Sequence, residues 1–102
     1  MNPAPFFSLE SDTMGTLRVA GAISFANAGR ALGRMPQPAR NGPAMILDLS
    51  GLEKSDSATL AVLIAWSAAA LRQGATLRYL RAPQGLRNLA RLCDVDELLN
   101  LT

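Results

Sequence analysis

Histidine is absent from the 102 residues, and cysteine occurs once, as Cys93. Without histidine there is no Ser-His-Asp triad, no imidazole metal ligand and no imidazole proton shuttle. A lone cysteine makes no internal disulfide, which fits a reducing compartment. Aromatics are 5% of the chain, and ten Lys+Arg against eight Asp+Glu leave a net charge of only +2. Base-stacking platforms and dense basic patches both need more than that, so nucleic acid is not an expected partner. Long apolar runs are missing too. The longest stretch without charge, glycine or proline, Ser57 to Leu71, contains Thr59 and Ser67. It falls short of the roughly 20 predominantly apolar residues of a membrane-spanning helix. Met1 to Glu10 has neither the positive region nor the apolar core of a secretory signal. These absences predict a soluble, cytoplasmic protein with no direct membrane span.

What remains is 49% hydrophobic, enough for one core and one domain over residues 1–102. Residues 6–10 and 16–20 read as strands of a hairpin around the turn-forming Asp12-Thr13-Met14-Gly15, with Gly21 closing the second strand. Ser24 is an expected cap for a helix over 25–33, in which Phe25, Ala28 or Gly29, and Leu32 recur at helical spacing. The prolines of 35–43 forbid regular structure. Residues 44–49 form the best strand, and their near-continuous apolar character predicts a central position covered on both faces. A polar loop over 50–56 leads to a helix from Ser57 to about Arg72, stopped by Gln73-Gly74. A strand over 76–81, a helix opened by Pro83 and ending at Leu92 or Cys93, and a last helical turn over 94–99 complete the chain. The order β-β-α-β-α-β-α implies parallel pairing after an antiparallel start, hence an α/β domain on a mixed sheet.

The Ser57–Arg72 helix is unusual because it has no charged face along most of its length. Helical phase places Leu60, Leu63, Ile64, Ser67 and Leu71 on one side, which should pack on the sheet. The opposite side carries Ala58, Ala61, Val62, Ala65, Ala69 and Arg72. Two readings stand for this small, apolar face: cover by the domain's own first or last helix, or a flat docking surface for a partner. Trp66, on the flank, reads as core filler rather than an anchor. At the helix start, Asp56 or Ser55 can cap the unpaired backbone amides; a phosphate there would also gain from those amides and the helix dipole. A phosphoserine beside an apolar docking face would repel a partner.

Catalysis is not expected. Asp48 and Asp56 flank one loop, but Ser57 has no base: histidine is absent and the only lysine, Lys54, sits among Glu53, Ser55 and Asp56. There is no Walker-type phosphate loop, and metal ligands lack useful spacing. Cys93 reads as a small core residue. Arg78, Arg81, Arg87 and Arg91 lie in a stretch with no acidic residue between Ser57 and Cys93. They read as a solvated surface, or as a contact with an acidic partner or lipid headgroups. Asp94, Asp96 and Glu97 are close enough in sequence to neutralise them locally.

Asp48-Leu49-Ser50-Gly51-Leu52, followed by Asp56-Ser57-Ala58-Thr59-Leu60-Ala61-Val62-Leu63, resembles the STAS domain family. That family includes anti-sigma factor antagonists and small cytosolic subunits of lipid-transporting ABC systems. The antagonists' loop reads D-S-S-G-L, with the second serine phosphorylated; here that position is Ala58, and Thr59 replaces the glycine. The MlaB-like branch, D-[S/T]-G/A-G-L-A-L-L, is more similar, matching at Asp56, Ser57, Leu60, Ala61 and Leu63. The resemblance runs over residues 44–93. It implies a STAS-like domain: a mixed four- to five-stranded sheet, an N-terminal β-hairpin and three to four helices. It further implies a non-catalytic cytosolic subunit, with no cofactor and no metal. Such a subunit binds and regulates or stabilises the ATPase of an ABC phospholipid transporter that maintains outer-membrane lipid asymmetry. Through that ATPase it would reach an inner-membrane permease and associate peripherally with the inner membrane. Asp56, Ser57, Ala58, Ala61, Val62 and Ala65 would face the ATPase, with Ser57 at the rim and the candidate for phosphorylation. The alternative is an anti-sigma factor antagonist switched by serine phosphorylation at the helix start.

Overall fold

Alternating side chains build the sheet. In the computed structural model, which describes residues 7–11, 16–35, 44–99 and 101, strand β1 (Phe7–Ser11) pairs antiparallel with β2 (Leu17–Ile23). β2 then pairs parallel with β3 (Ala44–Ser55), and β3 parallel with β4 (Thr76–Leu80), giving the order β1-β2-β3-β4. Between them lie α1 (Ala28–Leu32) and α2 (Ser57–Arg72); α3 (Gln84–Leu92) and α4 (Asp96–Leu99) follow β4. The mixed sheet, the hairpin and the central place of β3 agree with the sequence reading. The hairpin turn at 12–15, Phe6 and the segment 36–43 lie outside the described residues.

Several boundaries differ from the expected ones. β2 does not close at Gly21 but continues to Ile23, and β3 runs on to Ser55 through what reads as a polar loop. The cause is irregular register. Arg18 pairs with Asp48 but Ala20 with Gly51, and Gly21 pairs with Leu52 but Ala22 with Lys54, so β3 bulges twice and its alternation is scrambled. Gly51 is required there: a Cβ would stand 2.5 Å from the Val19 carbonyl oxygen. The first helix is short. Ser24 and Asn27 make a turn instead, in which the Asn27 side chain accepts from the Ser24 amide at 2.8 Å and donates to the Ala22 carbonyl at 2.8 Å. Phe25 therefore precedes α1 (Ala28–Leu32) rather than belonging to it.

Among the described residues, helix covers one sheet face. Val19, Leu47, Leu49 and Tyr79 point into the core, where α2 delivers Leu60, Leu63 and Trp66. Arg18, Ile46 and Arg78 emerge on the other face, which corrects the expectation of a doubly covered β3. α2 has the predicted span, and both its ends follow local chemistry. Asp56 is the N-cap, and Gly74, at φ +77°, closes the C-terminus with its amide on the Leu71 carbonyl and that of Ala75 on Ala70.

The phase of α2 is not the predicted one. The buried meridian runs through Thr59, Leu63, Trp66 and Ala70, while Ile64 and Ser67 are half-buried and Leu71 is 67% exposed. α1 causes the rotation by packing on the other flank: the Trp66 indole N–H donates to the Ala31 carbonyl at 3.0 Å. Trp66 is core, as expected, with the Phe7 ring 6.4 Å away. Cys93 is not: it caps the end of α3 and is exposed.

Candidate functional site

The start of α2 is built by three residues that serve each other. The Asp56 carboxylate accepts from the amides of Ala58 (2.8 Å) and Thr59 (3.1 Å), and the Thr59 hydroxyl accepts from the Asp56 amide (3.0 Å). This reciprocal cap satisfies donors that a helix start leaves unpaired. The fully buried Thr59 also donates to the Ile23 carbonyl at 2.5 Å, tying the helix start to the end of β2. Two of the amides that a phosphate would seek are thus already occupied by Asp56. Thr59 was not singled out by sequence as an anchor, although a threonine three residues after a capping aspartate is a recognisable signal.

The six predicted surface residues divide by exposure. Ser57 and Ala61 are exposed, Asp56 and Ala65 half-buried, and Ala58 and Val62 buried, Val62 to 1%. α1 and the turn before it supply what sequence reading did not place here. Phe25, 76% exposed, with Ala28 and Leu32, forms the second wall of a groove of about 380 Å³ whose first wall is Ser57, Ala61 and Ala65. Among the described residues, no charged side chain lines it. Of the two readings of the small helix face, cover by the first helix holds in part: α1 packs on this flank and Ala58 and Val62 are buried, while the remainder stays open. Their signal was the helical spacing of Phe25, Ala28 and Leu32, which did not say against what they stood.

The other flagged groups do not gather at this groove. Asp48 lies on the helix-free sheet face, under Arg81, whose guanidinium donates to its carboxylate through Nη2 (2.5 Å) and Nε (3.2 Å). That bond, assisted by the Ser50 amide and opposed by burial, holds the Asp48 carboxyl down at about 2. Asp48 is therefore paired, not free to act with Asp56. Lys54 is exposed on β3. Tyr79 donates to the Leu63 carbonyl at 2.6 Å and receives the Ser67 hydroxyl at 3.2 Å; burial pushes its phenol up, so it remains a donor. Arg87 binds Gln84, and no ion pair joins Arg78, Arg87 or Arg91 to Asp94, Asp96 or Glu97 among the described residues. Among those residues, too, no cluster of three or more Cys, Asp or Glu could hold a metal, and no helix is long and apolar enough to cross a membrane.

A four-stranded mixed sheet opening on a hairpin, with a capped helix after its central strand, defines a STAS-type domain. Comparison with known families agrees: the model described as Mlab, STAS domain, matches residues 9–100. The chain belongs to this family of MlaB-like STAS domains. Among solved structures, it is similar to the crystal structure of an anti-sigma factor antagonist from Mycobacterium paratuberculosis. The two share a TM-score of 0.58 and 19% identity over 96% of this chain and 85% of that one. At that identity the likeness is one of fold. No curated protein matches the sequence.

Proposed function

We propose that this chain is a non-catalytic, cytoplasmic STAS subunit that binds and regulates or stabilises the ATPase of an ABC phospholipid transporter maintaining outer-membrane lipid asymmetry. The observation that carries this reading is the apolar groove along α2 in a chain of the MlaB-like family. Small side chains at Ala61 and Ala65 permit close approach of a partner backbone, and Phe25 and Leu32 offer apolar area to bury. Asp56, Ser57, Ala58, Ala61, Val62 and Ala65 form the partner-binding face, with Ala58 and Val62 supporting it from below. Attachment to the inner membrane then runs through the ATPase and its permease.

One observation favours a second reading, an anti-sigma factor antagonist. Ser57 presents an exposed hydroxyl at the groove rim, where a phosphate would add about −1.5 to −2 charges beside an apolar surface. Against it, the position of the antagonists' phosphorylated serine is Ala58, which has no hydroxyl and is buried.

A tagged pull-down from solubilised membranes and cytosol, with mass spectrometry of partners and of residues 55–59, separates the two. Recovery of an ABC ATPase with its permease, Ser57 unmodified, supports the transporter role. Recovery of a soluble serine kinase with phosphate on Ser57 replaces it. Ala61→Arg should abolish the complex while leaving the fold intact.

A further inference from the structure

The helix-free face of the sheet carries a cationic array that the α2 groove does not use. Arg18 stands opposite Asp48 and Arg78 opposite Ile46, while Ile46 and Asp48 are two residues apart on β3, so all four share one face. Arg18, Ile46 and Arg78 are exposed, Ile46 to 38%. Asp48 is buried beneath Arg81 and neutralised by it. Among the described residues, neither Arg18 nor Arg78 makes an ion pair. The exposed carboxylate of this face is Glu10, at its β1 margin opposite Arg18, where it accepts from the Ser8 hydroxyl at 3.4 Å. The middle of the face thus presents three guanidiniums around one apolar side chain.

We infer that this face receives an extended acidic segment of another protein, in which two carboxylates flank an apolar side chain at alternate positions. The spacing carries the pattern. With strands about 4.8 Å apart and residues about 3.3 Å apart, two strands and two residues separate Arg18 from Arg78 by about 12 Å. In an extended chain, residues i, i+2 and i+4 project to one side and span about 13 Å. The outer two carboxylates then meet Arg18 and Arg78, and the middle side chain meets Ile46. Guanidinium forks match carboxylates bidentately, and arginine beside aliphatic area is the composition of a protein interface. Lipid surfaces are recognised by clusters of about 4–8 cations, more than this face offers. The face lies on the side of the sheet away from α2, so the inference does not rest on the ATPase reading.

An amide NMR titration of the labelled full chain tests this, because it detects binding even in the millimolar range. The probe is a synthetic peptide with two glutamates flanking a leucine at alternate positions; its partner probe has glutamine for glutamate. The acidic peptide should shift the amides of Arg18, Ile46 and Arg78 in a saturable way, and the glutamine peptide should not. Arg18→Gln and Arg78→Gln should each weaken binding about threefold to fivefold, and Ile46→Glu should abolish it. Arg18→Lys and Arg78→Lys keep the charge and most of the affinity, which covers the case in which a glutamine variant loses its folded spectrum. Arg91→Gln, exposed on α3 outside the sheet, should bind as wild type. No shift on this face at millimolar acidic peptide overturns the inference, as do equal shifts from the glutamine peptide. Wild-type affinity of both Arg→Gln variants, or equal weakening by Arg91→Gln, overturns the assignment to this face. If phosphatidylglycerol vesicles broaden these amides while the acidic peptide leaves them unmoved, the occupant is a lipid surface and the inference is overturned.

Discussion

Helix α2 has two flanks, and they are covered very differently. On the sheet flank, Leu60 and Leu63 are buried and hydrogen bonds lock the contact, from Thr59 to Ile23 and from Tyr79 to Leu63. On the α1 flank, a helix of 5 residues faces one of 16. At 1.5 Å per residue these are about 8 Å and about 24 Å long, so α1 cannot cover its neighbour. It buries Ala58 and Val62, accepts the Trp66 hydrogen bond, and leaves Ala61 and Ala65 open beside its own exposed Phe25 and Leu32. The first flank is closed by the sheet, and the second is left partly open. The separation follows from length alone.

Substitutions should divide along the same line. The largest effect is expected from Trp66→Ala, which removes a fully buried ring and its bond to Ala31: about 3–5 kcal/mol of stability by denaturant titration. A loss below about 1 kcal/mol would mean that neither the burial of the ring nor its bond to α1 anchors the helix. Next, Thr59→Val keeps the shape but leaves the Ile23 carbonyl and the Asp56 amide without their partner, costing about 1–3 kcal/mol in the same assay. Retention of full stability would remove the helix start from the list of anchors.

The Asp48–Arg81 pair should contribute less, about 1 kcal/mol, because Arg81 is 69% exposed and its charge is screened by solvent. The sign follows from the lowered pKa. Asp48 titrates at 3.8 in the unfolded chain and at about 2 when folded, so its contribution is complete above pH 4 and fades as pH falls towards 2. Asp48→Asn should therefore be less stable than wild type at neutral pH, and the two curves should converge near pH 2. A gap that persists there would assign the loss to packing instead. Smallest of all, Phe25→Ser should change stability by no more than about 0.5 kcal/mol, since the ring is outside the core. The same variant should weaken partner binding. If it unfolds the chain, the open groove is part of the core and the division between flanks is wrong.

Much of this architecture was legible residue by residue. The span of α2, a cap at Asp56 or Ser55 and the Gly74 stop were readable because caps depend on residues within four positions of one another; the structure uses Asp56. The hairpin and the parallel strands followed from alternation and element order. The phase of α2 was not legible, since apolar residues surround most of it and periodicity then points nowhere; Leu71 was assigned inward and lies outside. The length of β3 was hidden by its two bulges, which break the alternation by which strands are recognised. At the site, Ser57 and Ala61 were read as surface and are exposed, whereas Ala58 and Val62 are buried, as the alternative of cover by the first helix allowed.

Local sequence was sufficient for which segments become helix or strand, for the absence of histidine chemistry, and for a small-residue face on α2. Those properties arise from residue identity and near neighbours. The groove, the rotation of α2 and the Asp48–Arg81 pair required the folded chain. Their partners stand 33 to 36 positions apart, as with Asp48 and Arg81, Ala31 and Trp66, and Ile23 and Thr59. Contacts of that separation form only when the sheet brings distant segments together, and no periodicity within either segment encodes the meeting.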